Sequence, residues 1–484
     1  MNLRPTNGSS RAAPGIASAP PSLPHRVWRT LTGETARGGA AAAADQAILS
    51  LTNFLAAVML GRSVEPMEFG VYAVGYLGLH LARAVQEGVL IQPLSALAPG
   101  MGEDVFRRHV SGAAVLQVLA AVASSLAALS LGAVLWWTGN DVAGPTVLSL
   151  WFVLLTWQPQ EFLRRVFYSR GHVGAAIANT LVASVVRIAV LAVALRAGAD
   201  QGATGLHAIA WGALAGLVLG IIQSRRVWTR VAVSVTGVWR SQWALGRWVM
   251  AATIGNWLAL EVYPLLTAGL VSFAAAGVYR ALQTIVAPVH AFLRTIDTFF
   301  TPRIAKLYDR AGRQAVRRQL LLIYGLCGVP IGLGLAAVML EPARLLRWFY
   351  GTTYAAFTTE LRLMAVFYGL WFAYAPLQIA LKAVQRTRPI FVANAISLTL
   401  MLTIGVVAIQ AWGVRGTVFG QALGALVVGV FVGFGWRAWF RDPKHTTPIS
   451  ATTDAEGGAR NEGSGPARAA NGARTPQGTR PPEA

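Results

Sequence analysis

The chain has 484 residues, of which 55% are apolar and only 13% charged, about half the charged share of an ordinary soluble domain. That composition excludes a soluble globular protein and predicts an all-α polytopic membrane protein. The formal net charge of +21 would suit nucleic acid, but the cations fall in the connections between apolar runs, so no nucleic-acid partner is expected.

Residues 1–37 are rich in Pro, Ser, Ala and Arg and lack an apolar h-region, so no cleaved signal peptide is expected and the segment reads as a disordered cytoplasmic extension. From residue 38 long apolar runs recur about every 30 residues, each near the ~20 residues that one helical crossing of the hydrocarbon core requires. Twelve spans are predicted, at 38–60, 69–98, 109–138, 143–163, 172–195, 205–224, 244–271, 273–302, 316–340, 359–381, 388–412 and 413–436. Six basic clusters, at 107–108, 164–170, 225–240, 303–318, 382–388 and 437–444, occupy alternate connections. The intervening connections hold only Arg62, Arg196, Arg344, Arg347 and Arg415. The positive-inside rule then places both termini in the cytoplasm, as an even number of spans requires. The polar tail 441–484 reads as disordered and cytoplasmic. A lone cysteine, Cys327 in the ninth span, excludes an internal disulfide and a cysteine-built metal site; neither metal nor cofactor is expected.

Some spans are written twice. "EFGVYAV" (68–74) opens the second span and "AAGVYRAL" (275–282) the eighth. "PQEFLRRVFYSRGHVGAAIAN" (159–179) resembles "PLQIALKAVQRTRPIFVAN" (376–394), and the sixth and twelfth spans share "GALAGLVLG" and "GQALGALVVG". The chain thus reads as two six-helix halves, 38–228 and 244–440, joined by a cytoplasmic linker at 229–243. Six being even, both halves enter the membrane in the same direction, with a substrate path expected between them.

At 100° per residue Arg280, Gln283, His290, Arg294 and Asp297 form one polar stripe on the eighth span. Tyr72, Tyr76, His80, Arg83, Gln86 and Glu87 form another on the second, while Asp45, Gln46 and Asn53 lie on the first and Asn256 and Glu261 on the seventh. A charge at the bilayer centre costs at least ~2.5–3.5 kcal/mol, so these four helices are expected to line one polar cavity. Arg83 and Glu87 stand one turn apart and are open to mutual neutralisation; Glu161 and Arg187 are expected to pair between the fourth and fifth spans.

The stretches "DQAILSLTNFLAAVMLGRSVEPMEFGVYAV" (45–74), "GVYRALQTIVAPVHAFLRTIDTFFTPRIAKLY" (277–308) and "WFYGTTYAAFTTELRLMAVFYGLWFAYAPLQIALKAVQRTRP" (348–389) resemble the polysaccharide-transporter branch of the multidrug/oligosaccharidyl-lipid/polysaccharide (MOP) superfamily, the Wzx-type O-antigen flippases. The resemblance runs from about residue 34 to 436. It implies a MATE/MOP-like pair of six-helix lobes in the cytoplasmic (inner) membrane, with helices one, two, seven and eight around a central cavity. The implied cargo is a polyprenyl-diphosphate-linked oligosaccharide moved to the periplasmic leaflet, and polysaccharide polymerase or export proteins are implied partners. The family's cationic cavity carries over to Arg83, Arg280 and Arg294 as head-group ligands, although Arg83 and Arg280 are not exact repeat partners. Arginine suits a diphosphate because its planar fork makes charge-assisted hydrogen bonds to phosphate oxygens. Tyr72, Tyr76 and Trp257 are candidate stacking surfaces for sugars, or an interfacial belt, with Asn53, Asn256 and Gln283 as polar sugar contacts. Asp45, Glu87, Glu261 and Asp297 are the candidates for coupling to H+ or Na+.

Three rival readings stay open at this stage. A cation or drug antiporter of the same superfamily would want an acidic cavity, and the charges on the four helices do not decide. "AKLYDRAGRQ" (305–314) resembles a major-facilitator turn, but its primary copy is missing after the second span. A membrane glycan-modifying enzyme would need a carboxylate, metal or nucleophile constellation, and no HExxH, Ser/His/Asp or phosphate loop occurs in a suitable context; no enzyme is expected.

Overall fold

The computed structural model describes residues 34–225, 227–228 and 233–441. Of the segments 1–37 and 441–484, read above as disordered, residues 1–33 and 442–484 lie outside the described residues, while 34–37 and Arg441 are helical. Among the described residues every regular element is helical. Eight helices are long and apolar enough to cross a membrane, and one of them, Phe273–Leu340, has 68 residues, about 100 Å at 1.5 Å per residue.

That long helix is broken at Gly312, whose φ of 66° and ψ of −167° are non-helical; without a Cβ, glycine adopts this conformation at little steric cost. Counting its two parts separately and adding 66–97, Leu150–Ser169 and Val235–Leu270 gives twelve helices of membrane length among the described residues. They are α1 Glu34–Ser63, α2 66–97, α3 Glu103–Trp137, α4 Leu150–Ser169, α5 Val173–Arg196, α6 Ala203–Gln223, α7 Val235–Leu270, α8 273–311, α9 313–340, α10 Thr358–Ala383, α11 Arg388–Trp412 and α12 Val414–Arg441.

Several boundaries differ from the sequence reading. The 303–315 connection is helical apart from Gly312, because "RIAKLYDRA" is made of good helix formers with no internal breaker. The linker 229–243 is helical from Val235, where Ser234 caps the helix by accepting the Gly237 N–H at 3.1 Å. α2 begins with Pro66 at its first turn and Glu68 beside it, both favourable at an N-terminus. It contains a π-turn at Glu87–Ile91 immediately before Pro93. Proline lacks an N–H and its ring crowds the carbonyl four residues earlier, so the helix widens there.

By contacts the chain forms two compact units, Met1–Thr284 and Ile285–Ala484. The division by contact is not the division by repeat: α7 packs along α2 and so counts with the first unit. In that unit Phe106, Val110, Phe162, Val166 and Phe167 form an apolar cluster between α3 and α4. In the second unit Leu381, Ile390, Val428, Val432 and Trp439 join α10, α11 and α12. The shared glycine pattern of the sixth and twelfth spans does the same work in each unit. Gly212 and Gly216 bring α6 against Ala183 and Arg187 of α5, and Gly424 brings α12 against the Ser397 side chain of α11, the close small-residue approach that membrane helices favour.

The distribution of polarity is that of a membrane protein. Leu326, Leu333, Leu340 and Trp137 are exposed while Gln86, Gln117, Gln158, Gln160 and Asn179 are buried. The buried amides bind across helices: Gln86 donates to Gln117 at 2.9 Å and to the Gln158 carbonyl at 2.7 Å, and Gln160 donates to Asn179 at 2.6 Å. Apolar side chains outside and satisfied amides inside fit a hydrocarbon solvent.

Candidate functional site

The two copies of the Gly-Val-Tyr motif touch. A Cβ on Gly70 would fall on the Phe273 carbonyl, and one on Gly277 would fall on the Pro66 carbonyl and the Gly70 backbone. The first turns of α2 and α8 therefore cross backbone to backbone, at equivalent positions of the repeat, which only glycine allows.

Past that crossing a small open cavity lies among α2, α7 and the first turns of α8. The Arg280 guanidinium stands over the Tyr76 ring, 4.9 Å from its centroid, a cation–π contact. Its Nη1 donates to Gln283 Oε1 at 2.8 Å. The Tyr76 ring is 4.4 Å from the His80 ring, and His80 Nδ1 is 3.3 Å from Glu261 Oε1. Gln283, Arg280, Tyr76, His80 and Glu261 thus form one contiguous polar chain from α8 across α2 to α7.

Tyr76 and His80 also wall a second, roomier cavity among α1, α2, α4, α5 and α6. One side of it is an ion cluster. Arg164 grips Glu161 with Nε and Nη2 at 2.8 and 2.9 Å and reaches Asp45 at 2.5 Å with Nη1. Arg165 donates to Glu161 at 2.9 Å and lies 3.6 Å from Glu87, and Tyr168 donates to Asp45 at 2.6 Å. The expected Glu161–Arg187 pair does not form. Glu161 binds the arginines three and four residues ahead on its own helix, while Arg187 donates to Asn53 at 2.7 Å and to the Tyr72 hydroxyl at 3.2 Å. Glu87 likewise answers Arg165 and Gln92 rather than Arg83.

Of the residues singled out in the sequence, Tyr76, Glu261, Arg280 and Gln283 line the first cavity. Asn53, Arg83 and, again, Tyr76 line the second. The first helix thus faces this second space, because α1 packs on α5 and its Asn53 is turned to Arg187. Tyr72 is buried with its hydroxyl on Arg187. Trp257 is half-buried on α7, and the side chain of Asn256 lies outside the described residues. Asp45 belongs to the Arg164 cluster. In the second unit Arg294 Nε lies 3.0 Å from His290 Nε2, and Asp297 pairs with Lys382 at 3.1 Å. Sequence reasoning counted Arg164, Arg165 and Lys382 only as topology markers. The Glu-x-x-Arg-Arg spacing of 161–165 carried a signal for the first two, whereas Lys382 lies 85 positions from Asp297 with no local sign of it.

No protein-family model and no curated protein matches the sequence. Solved structures do. One described as the inward-facing conformation of a multidrug resistance MATE family transporter of the MOP superfamily aligns at a TM-score of 0.58 and 11% identity, covering 80% of this chain and 94% of that one. The lipid II flippase MurJ in an inward closed conformation aligns at 0.59 and 11%, covering 82% and 87%. A MOP superfamily transporter from Pyrococcus furiosus Vc1 (DSM3638), described as having a binding pocket of reverse polarity, aligns at 0.54 and 12%, covering 81% and 92%. The chain therefore has a MATE/MOP-like all-α fold.

Proposed function

We propose that this chain moves a polyprenyl-diphosphate-linked oligosaccharide from the cytoplasmic to the outer leaflet of the inner membrane by alternating access of two six-helix lobes, 38–228 and 244–440, for surface-polysaccharide synthesis. The observation that carries this reading is Arg280, held over Tyr76 and against Gln283 in a cavity among α2, α7 and α8. A guanidinium fixed on an aromatic ring, beside an amide, offers charge to a phosphate and a stacking and hydrogen-bonding surface to a sugar. The fold likeness to a lipid II flippase supports a lipid-linked cargo. Arg83 and Arg294 are proposed as further head-group ligands, and Tyr76, Gln283, Asn53, Asn256 and Trp257 as sugar contacts. Tyr72 takes this role only if its bond to Arg187 opens. Transport of this kind makes the protein a carrier rather than an enzyme.

Glu261 is the proposed coupling acid, since it sits in the same cavity with His80 at 3.3 Å. Asp45, Glu87 and Asp297 are each engaged with a basic side chain, and their use in H+ or Na+ coupling requires those pairs to open. The Glu261–His80 pair also favours a second reading, a cation or drug antiporter, in keeping with the MATE-family neighbours.

The test is translocation in proteoliposomes loaded in one leaflet with a polyprenyl-diphosphate oligosaccharide. Wild type delivers it to the other leaflet and Arg280→Ala does not. Absence of delivery by folded wild-type protein, together with uptake of a cationic drug, replaces the flippase with the antiporter.

A further inference from the structure

Arg187 lies inside α5, in a membrane-spanning helix, and is only 9% exposed. Its two terminal nitrogens are held by neutral oxygens, those of Asn53 and Tyr72. Its Nε is closed off from solvent and has no hydrogen-bond partner. Among the described residues no carboxylate lies within ion-pair distance of it. The two acids of this region, Glu161 and Asp45, are taken up by Arg164, Arg165 and Tyr168. A buried cation in this setting calls for a negative charge that the chain does not supply.

The surroundings show where that charge would sit. Thr180 and Ser184 precede Arg187 by seven and three positions, on the same face of α5. Side chains on a helix lean toward its N-terminus, so the Arg187 stem runs back over these two hydroxyls. All three residues line the second cavity. Thr180 is 1% exposed and its hydroxyl has no partner, a second orphaned buried donor on the same stripe. From α2, Arg83 lines the same cavity, and its side chain makes no ion pair or hydrogen bond among the described residues. Three arginines and one carboxylate line this space, and the carboxylate, Glu161, is already shared by two arginines.

We infer that the second cavity is an anion site, in which Arg187 Nε and the Ser184 and Thr180 hydroxyls bind the oxygens of a phosphoryl group while Arg83 supplies further positive charge. Donors strung along two turns suit an anion with several oxygens better than a monatomic one. The phosphoryl group is either free inorganic phosphate or the phosphomonoester of a lipid. Tyr76 and His80 form a wall shared with the cavity that holds Arg280, and Arg83 and Asn53 are also offered to the cargo above; Arg187, Ser184 and Thr180 carry this inference without them.

The experiment is thermal unfolding of the purified full-length chain in detergent at fixed ionic strength. Inorganic phosphate, a short-chain phosphatidic acid, or chloride is titrated in. Wild type is expected to be stabilised saturably by one or both phosphoryl probes. With Arg187→Gln that stabilisation is lost, although without anion the variant melts no lower than wild type because it no longer buries an unanswered charge. Thr180→Val is expected to weaken the apparent affinity about tenfold, which keeps the test valid should Arg187→Gln not fold. A response to phosphate assigns the free anion; a response to phosphatidic acid alone assigns the lipid. Equal stabilisation of wild type and both variants, no response of wild type to either phosphoryl probe, or an equal response to chloride overturns the inference. Flippase activity need not be intact for any of these readouts.

Discussion

Arg164 and Arg187 are both buried guanidinium groups of the first unit, and their neighbours answer them differently. Arg164 is clamped by two carboxylates, with side-chain exposures of 7% for the arginine and 4% for each acid. Removing one acid strands a buried positive charge, so Glu161→Ala is expected to cost ~3–5 kcal/mol, read as a lowered unfolding midpoint in detergent. Arg280 answers to a ring and an amide, and Arg280→Lys keeps the charge while losing the planar fork. Translocation is expected to fall about tenfold and remain measurable, against none for Arg280→Ala; equal rates for lysine and arginine would mean that charge alone matters. The local half of this chemistry was legible in the chain, since "EFLRR" places two arginines within a turn of Glu161. The partners of Arg187 lie 134 and 115 positions away, and no periodicity along one helix reports them.

At the scale of elements, the repeated Gly-Val-Tyr motif marks where α2 and α8 touch. Gly70→Ala must push the two backbones apart, for an expected loss of ~1–3 kcal/mol. Gly255 of α7 has open space where a Cβ would go, so Gly255→Ala is expected to be neutral or to stabilise by up to ~1 kcal/mol through helix propensity. In parallel thermal melts Gly70→Ala should lower the midpoint and Gly255→Ala should not; an unchanged midpoint for Gly70→Ala would show that the crossing is not tight. The motif was visible in the sequence as a repeat; that its copies contact each other was not. The helical 303–311 segment was missed for a related reason, since a dense basic cluster suggests a loop on topology grounds while its residues favour helix. Only the conformation of Gly312 shows where α8 ends.

For the whole molecule, every crossing predicted from hydropathy corresponds to a helix, including those at 66–97, Leu150–Ser169 and Val235–Leu270, which are not among the eight long and apolar enough to cross by composition. Removal of residues 445–484 is expected to leave translocation and expression unchanged, because the apolar spans end before that polar tail. Loss of transport at normal protein level would assign the tail a partner. Composition and periodicity alone determined a polytopic all-α membrane protein with a doubled sequence, since each crossing must satisfy its own backbone and this writes a local signature into the chain. Which polar side chains meet was decided only by tertiary structure. α1 packs on α5 and sends Asn53 to Arg187, α7 packs on α2 and brings Glu261 to His80, and Arg187 is left to neutral partners. Those outcomes depend on the rotation of one helix against another, a quantity that a local sequence pattern does not contain.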